Sequence, residues 1–192
     1  MTRKEAILLV ATQLFSIQGY RTTSMGEIAK AAGVADGTIF YHFKTKEELF
    51  LAVLEHFKEE IISEFSIIEE NDTYKSGLEK IEALLSFYIY LANRLEDRFL
   101  LLHRHFPYTL AEDNPACWNH LEEIYNTLIG VFEQAILQGQ ADGSIDELPA
   151  RKMAMIIFTL VDGMVRLNTY NIYHTGPLYN ELITSCHRML KK

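Results

Sequence analysis

The sequence predicts an all-α fold: a three-helix head at the N-terminus, a long connecting helix and a larger helical body. Three observations carry this. Apolar residues recur at helical spacing in nearly every segment, and no segment alternates with a period of two. Helix starts (Ser, Thr, or Asn-Pro before an apolar stripe) and glycine stops punctuate the chain at helix-length intervals.

A first helix is expected over 3–18, where Ile7, Val10, Ala11, Leu14 and Phe15 share one side and Gly19 ends it. Ser24, followed three residues on by Glu27, is a capping-box start. It opens a second helix over 24–32, with Met25, Ile28, Ala29 and Ala32 on one face. Gly33 supplies the positive φ that a tight turn after a helix wants, and Val34 can plug the corner. A third short helix follows over 36–42. Ile39 and Phe43 turn to the core, leaving Gly37, Thr38, Tyr41 and His42 on the opposite side. Thr45 caps a long fourth helix, with Glu48 at its third position, running towards Glu70 and a polar turn at Asn71-Asp72-Thr73. Helices are then expected over 74–94 and 96–106, the second ended by Pro107, with 107–114 as a loop or single turn. Asn114 before Pro115 opens a helix to about Gln140. A glycine-bearing turn leads to Asp146, Pro149 and a helix to about Tyr173; Gly176-Pro177 then breaks the chain before a last helix to Leu190.

Residues 24–46 thus form a helix, a glycine-containing turn and a second helix, the geometry that lays a recognition helix in the major groove of DNA. The runs ATQLFSIQGY, TSMGEIAKAAGV and GTIFYHFKTKEELF, within about the first 55 residues, closely resemble the DNA-binding domain of TetR-family transcriptional regulators. The rest of the chain resembles the family only in its all-helical layout. The resemblance implies a helix-turn-helix DNA-binding domain at 1–50 and a helical effector-binding and dimerisation domain at 51–192. It implies a sequence-specific regulator, most commonly a repressor released from a pseudo-palindromic operator by a small-molecule effector.

The residues expected at DNA follow from the motif. Gly37 lets the recognition helix approach the bases or backbone closely, because any side chain there would stand it off. Thr38 offers a methyl for thymine and a hydroxyl for phosphate or base. Tyr41 and His42 sit where the family usually bonds phosphates. Lys46, with the amides at its helix terminus, can pair with another phosphate, and the amides around Ser24 and Met25 can do the same. Each has a plainer reading: Tyr41 a rim aromatic, His42 an exposed histidine, Lys46 a solvated charge, Ser24 a cap and nothing more. Three positions depart from the family pattern. Ala35 lacks the usual hydroxyl, so a cap and a phosphate contact are both missing. Asp36 favours the helix dipole and repels phosphate, yet near bases it can accept from a cytosine amino group. Phe40 keeps at most an apolar contact with thymine.

Charge bounds this reading. The net charge is −8, but the first 50 residues carry +1 and the remainder −9. Few phosphate contacts per half-site are therefore expected, and a modest salt dependence. No signal peptide is visible, and the longest apolar run, 153–161, is far short of the ~18 residues that span a bilayer, so the chain is expected to be cytoplasmic. Two cysteines, Cys117 and Cys186, make no metal-ligand spacing. No metal or cofactor is expected, nor an enzyme: nucleophile elbow, phosphate loop and HExxH are all missing. Glu122-Glu123 are adjacent on a helix and diverge, as do His103 and His105.

In the body, residues 153–165 (MAMIIFTLVDGMV) are apolar nearly all round, which means burial on more than one side. Leu121, Ile124, Leu128, Val131, Phe132, Ala135 and Ile136 form a comparable stripe. Helices at about 115–140 and 149–173 are expected to pair with a second copy, a homodimer through a four-helix interface. An effector pocket for an apolar or aromatic molecule is expected among Phe87, Tyr88, Tyr90, Leu91, Phe99, Leu102, His103, Phe106, Trp118, Tyr125 and Phe158. Asp162, inside the apolar run, can meet a ligand donor or pair with Arg166 one turn on. The competing function is an interaction protein on the same fold, its reading head degenerate; near-neutral charge and Asp36 favour it.

Overall fold

The computed structural model describes residues 2–70 and 74–191. Among them the secondary structure is helical: α1 (Arg3–Ile17), α2 (Met25–Ala31), α3 (Asp36–His42), α4 (Lys46–Glu70), α5 (Gly77–Arg94), α6 (Glu96–Leu102), α7 (His105–Asp113), α8 (Pro115–Asp142), α9 (Ala150–Thr169) and α10 (Tyr179–Leu190). A short 3-10 turn (Gly176–Leu178) precedes α10. The expected turn at 71–73 lies outside the described residues. No described helix is long and apolar enough to cross a membrane.

The chain divides into two compact units: 1–60 with 97–124, and 61–96 with 125–192. In the first, α1, α2 and α3 pack on one another over Ile7, Ala11, Phe15, Ile28 and Ile39, all essentially inaccessible. The helix ends here follow local chemistry. Thr2 and Glu5 make a reciprocal capping box on α1. Gly33 has φ +66°, its N–H donates to Lys30 O and that of Val34 to Ala29 O, a complete Schellman turn. Thr45 Oγ1 accepts from Glu48 N at 3.0 Å, opening α4 as its sequence predicts.

Pro107 is a correction. It does not end a helix; it is the third residue of α7, and the expected loop at 107–114 is mostly helix. A first-turn proline lacks an N–H that would have no intrahelical acceptor, so it starts a helix as readily as it stops one. The break falls earlier, at His103-Arg104, between α6 and α7. Here Arg104 donates through Nε to Ser16 O and through Nη2 to Ile17 O, both at 3.0 Å, satisfying carbonyls at the end of α1. Phe106 stacks on Tyr20 with centroids 3.8 Å apart, and Phe50 meets both rings edge-on.

In the second unit, α5 packs with α9 and α10 around Tyr88, Leu91, Ile157, Val161 and Cys186. The start of α5 lies so close to α8 that a Cβ on Gly77 would fall 2.1 Å from Gly139 N. Asn114 Oδ1 caps α8, accepting from Ala116 and Cys117 N–H. The helix ending at Tyr173 by expectation stops at Thr169: Asn171 turns to φ +53°, and Ile172 and Tyr173 donate to Leu167 O.

Candidate nucleic-acid interface and ligand region

The turn and the third helix divide cleanly into an inner and an outer side. Ile39 and Phe43 are buried, which fixes the rotation of α3. Asp36, Gly37, Phe40 and Tyr41 are exposed, Tyr41 at 75%, while Thr38 and His42 are half-buried. Tyr41 and His42 meet edge-to-face at 5.1 Å, so both rings share that outer side. A Cβ on Gly37 would meet nothing within 4 Å; the glycine leaves open space in front of the helix. Ala35 is the N-cap and makes no side-chain cap bond, as the missing hydroxyl predicts.

Ser24 is fully committed as a cap. Its hydroxyl accepts from Glu27 N at 3.2 Å and donates to Glu27 Oε2 at 2.8 Å, and its own N–H donates to the same carboxylate at 2.7 Å. These bonds hold the Glu27 carboxyl below the usual range, the backbone N–H of Ser24 contributing most. Met25 is buried, so only its backbone amide can face outward. Lys46 is half-buried, and its Nζ donates to Tyr20 O and Thr23 O, each at 2.8 Å, above the Tyr20 ring. It ties the α1–α2 turn to the start of α4, with one N–H remaining for an anion. A cation that sequence reasoning passed over is Lys44. Its Nζ donates to Phe40 O at 3.0 Å and lies near the Tyr41 ring. A lysine just past a helix end, where carbonyls lack partners, is the signal that could have found it.

The twelve ligand-region residues are divided between the two units. In the first, Phe99, Leu102 and His103 are buried, with Phe99 edge-on to Phe57 at 5.4 Å and near His103. Phe106 belongs to the Tyr20 stack, and Trp118 is exposed at 58%. In the second, Tyr88, Phe158 and Tyr125 form a chain of edge-to-face rings at 5.8 and 5.9 Å. Asp162 Oδ1 accepts from the buried Tyr88 hydroxyl at 2.6 Å, so its described partner comes from α5. Phe87 leans on Phe65, Leu91 is core and Tyr90 is exposed. A cavity of about 340 Å³ opens elsewhere in this unit, beside α5, α9 and the start of α10; none of the twelve lines it.

The α8 stripe from Leu121 to Ile136 is a correction of another kind: all seven residues are buried by the chain itself. On α9 one apolar face is buried by the chain and the other lies in solvent. Ala154, Ile157, Phe158, Val161 and Val165 are core, while Met155, Ile156, Leu160 and Leu167 are exposed. The cysteines are buried, and burial pushes both thiols up to about 11, far from the thiolate that redox or metal chemistry needs.

Comparison with known proteins agrees with this geometry. Residues 7–53 match the family described as bacterial regulatory proteins, tetR family. Over 52 residues the chain is 56% identical to the HTH-type transcriptional regulator AcrR of Shigella flexneri, a stretch covering 27% of this chain and 24% of that protein's own length. It is 28% identical over 173 residues to the fatty acid metabolism regulator protein of Bacillus subtilis, covering 83% of this chain and 79% of that one. The crystal structure of the transcriptional regulator FadR from Bacillus subtilis, in complex with stearoyl-CoA, superposes with a TM-score of 0.78 at 24% identity, over 97% of this chain and 99% of that one. Residues 7–53 thus carry the pattern of the tetR-family DNA-binding domain, and beyond them the likeness continues over most of the chain at 28% identity.

Proposed function

We propose that this protein is a sequence-specific transcriptional regulator that binds a pseudo-palindromic operator as a homodimer and leaves it when a largely apolar effector binds. Residues 1–50 read the DNA and residues 51–192 bind effector and partner, in the cytoplasm. The observation that carries this is the outer side of α3, where Gly37 and Tyr41 are exposed above a rotation fixed by buried Ile39 and Phe43. The head is small, and helix-turn-helix proteins recover affinity by occupying two half-sites about one turn of DNA apart. The exposed apolar residues of α9 support a symmetric interface for that purpose.

Effector binding shifts the dimer towards a state whose two recognition helices no longer match the operator spacing. A ligand shifts such an equilibrium only by its differential affinity for the two states; a hundredfold difference supplies about 2.7 kcal/mol. The similarity to a fatty acid metabolism regulator and to a fold solved with stearoyl-CoA makes a long-chain acyl thioester the first effector to try. Footprinting on the DNA upstream of its own gene tests the reading. Protection of an inverted repeat is expected; no protection even at low salt would leave the interaction protein as the better account. Stearoyl-CoA is then titrated against the bound operator. Unchanged affinity removes acyl thioesters as effectors and leaves the DNA reading standing.

A further inference from the structure

The cavity of the second unit is a site the regulatory reading does not use. Its volume of about 340 Å³ lies at the small end of the 300–1,000 Å³ typical of small-molecule sites. One wall is apolar, made by Ile89 of α5 and Met164 and Val165 of α9. The hydroxyls around it are already committed: Thr169 donates to Val165 O at 2.9 Å, Thr175 to Met164 O at 3.2 Å, and Tyr179 shares a short hydrogen bond with Ser86. Two carboxamides are not. Asn93 on α5, an exposed residue, and Asn168 on α9, half-buried, line the cavity, and neither side chain has a hydrogen-bond partner among the described residues. His174 lies over the bare backbone of Gly176, its Nε2 3.6 Å from where a Cβ would sit, and Tyr179 adds a second ring. None of the lining residues is Lys, Arg, Asp or Glu.

We propose that this cavity binds a neutral, planar heterocycle with a donor and an acceptor side by side on one edge, of the kind adenine presents. A carboxamide meets such an edge with two hydrogen bonds, as Asn and Gln do with adenine N6 and N7. His174 and Tyr179 add two rings to the lining, a residue type that stacks on bases, and the apolar wall takes what remains of the heterocycle. With no lysine or arginine in the lining, no permanent cation compensates a phosphate. The ligand is therefore a free base or nucleoside, not a nucleotide. The site stands on this geometry alone and does not depend on the identity of the operator or the acyl effector.

Isothermal titration of the full-length protein with adenine, adenosine and AMP tests the proposal, with Asn93→Leu and Asn168→Leu beside the parent. Saturable binding of adenine and adenosine is expected, with AMP weaker, and each substitution weakening adenine by about tenfold or more. The two side chains make no internal hydrogen bond, so their thermal midpoints should match the parent's. If either variant fails to fold, His174→Ala, at an exposed position, replaces it with the same expected loss. No saturable binding of adenine or adenosine overturns the proposal. So does binding that survives the substitutions unchanged, or AMP binding more tightly than adenosine.

Discussion

Replacing Gly37 by alanine separates what the recognition helix needs for folding from what it needs for DNA. Gly37 is the second residue of α3. Its backbone is not in the left-handed region, and an added Cβ meets nothing within 4 Å. Alanine therefore fits without strain. It should stabilise the chain by up to about 1 kcal/mol, the usual helix advantage of alanine over glycine, or about 2–4 °C in Tm for a chain of this length. On the proposed operator the same methyl group should hold the helix away from the groove. A loss of about 1.4 kcal/mol per half-site is tenfold, and a dimer on two half-sites loses it twice, so about a hundredfold is expected. Thermal melting and fluorescence anisotropy on the footprinted operator, at one fixed salt concentration, read the two effects separately. Opposite signs, firmer folding with weaker binding, are the signature. Unchanged operator affinity would refute the close approach of α3 to DNA, and a lower Tm would refute the open space in front of Gly37.

Gly77→Ala should cost about 3 kcal/mol or more in urea unfolding, beyond ordinary overpacking, because the new Cβ meets backbone: Gly139 N at 2.1 Å, Gly139 Cα at 2.4 Å and Ala135 O at 2.5 Å. A loss below about 1 kcal/mol would mean that α5 and α8 are not so close. Hydrogen bonds from Ser144, then the Gly77 N–H, hold the Asp142 carboxyl below its ordinary range. Its contribution to stability is thus full above the unfolded carboxylate pKa of about 4 and fades as pH falls through the lower folded value. Asp142→Asn should flatten that acid limb of the stability profile, and an unchanged limb would count against the bond. If two copies pair through α9 as proposed, Leu160→Asp, at an exposed position on that helix, should leave the protein monomeric in sedimentation velocity where the parent is dimeric. A dimer that persists would place the subunit interface on another face.

The head was legible because its determinants are local. Ser24 finds Glu27 three residues away, Gly33 closes a turn on Lys30 and Ala29, and Ile39 and Phe43 set the rotation of α3 within one turn. Lys46 shows where that ends. Its position at the start of α4 points to a phosphate, and two of its three N–H groups also reach Tyr20 O and Thr23 O, 26 and 23 residues earlier in the chain. No spacing rule reaches that far. Pro107 failed for a different reason: the residue looks the same as a stop and as a first-turn start, and only the carbonyls of the preceding turn tell which it is. The cavity drew no notice because Asn93, Asn168 and His174 come from two helices and a connection and share no pattern.

Periodicity reports that a face is buried and is silent about what buries it. The seven α8 residues from Leu121 to Ile136 have the stripe of a helix seeking a partner, and the chain's own core satisfies all of them. On α9 the same counting is more informative because the apolar residues exceed what one face can hold. Once Ala154, Ile157, Phe158, Val161 and Val165 are assigned to the core, Met155, Ile156, Leu160 and Leu167 are left in solvent. Large contiguous apolar exposure is uncommon on a monomer, so the surplus over one face, and not the stripe itself, is the part of a helical sequence that speaks to assembly. The same logic ranks the residues proposed to face DNA. Tyr41, with three-quarters of its surface exposed and no core to fill, carries more functional information than the better-patterned Ile39 beneath it.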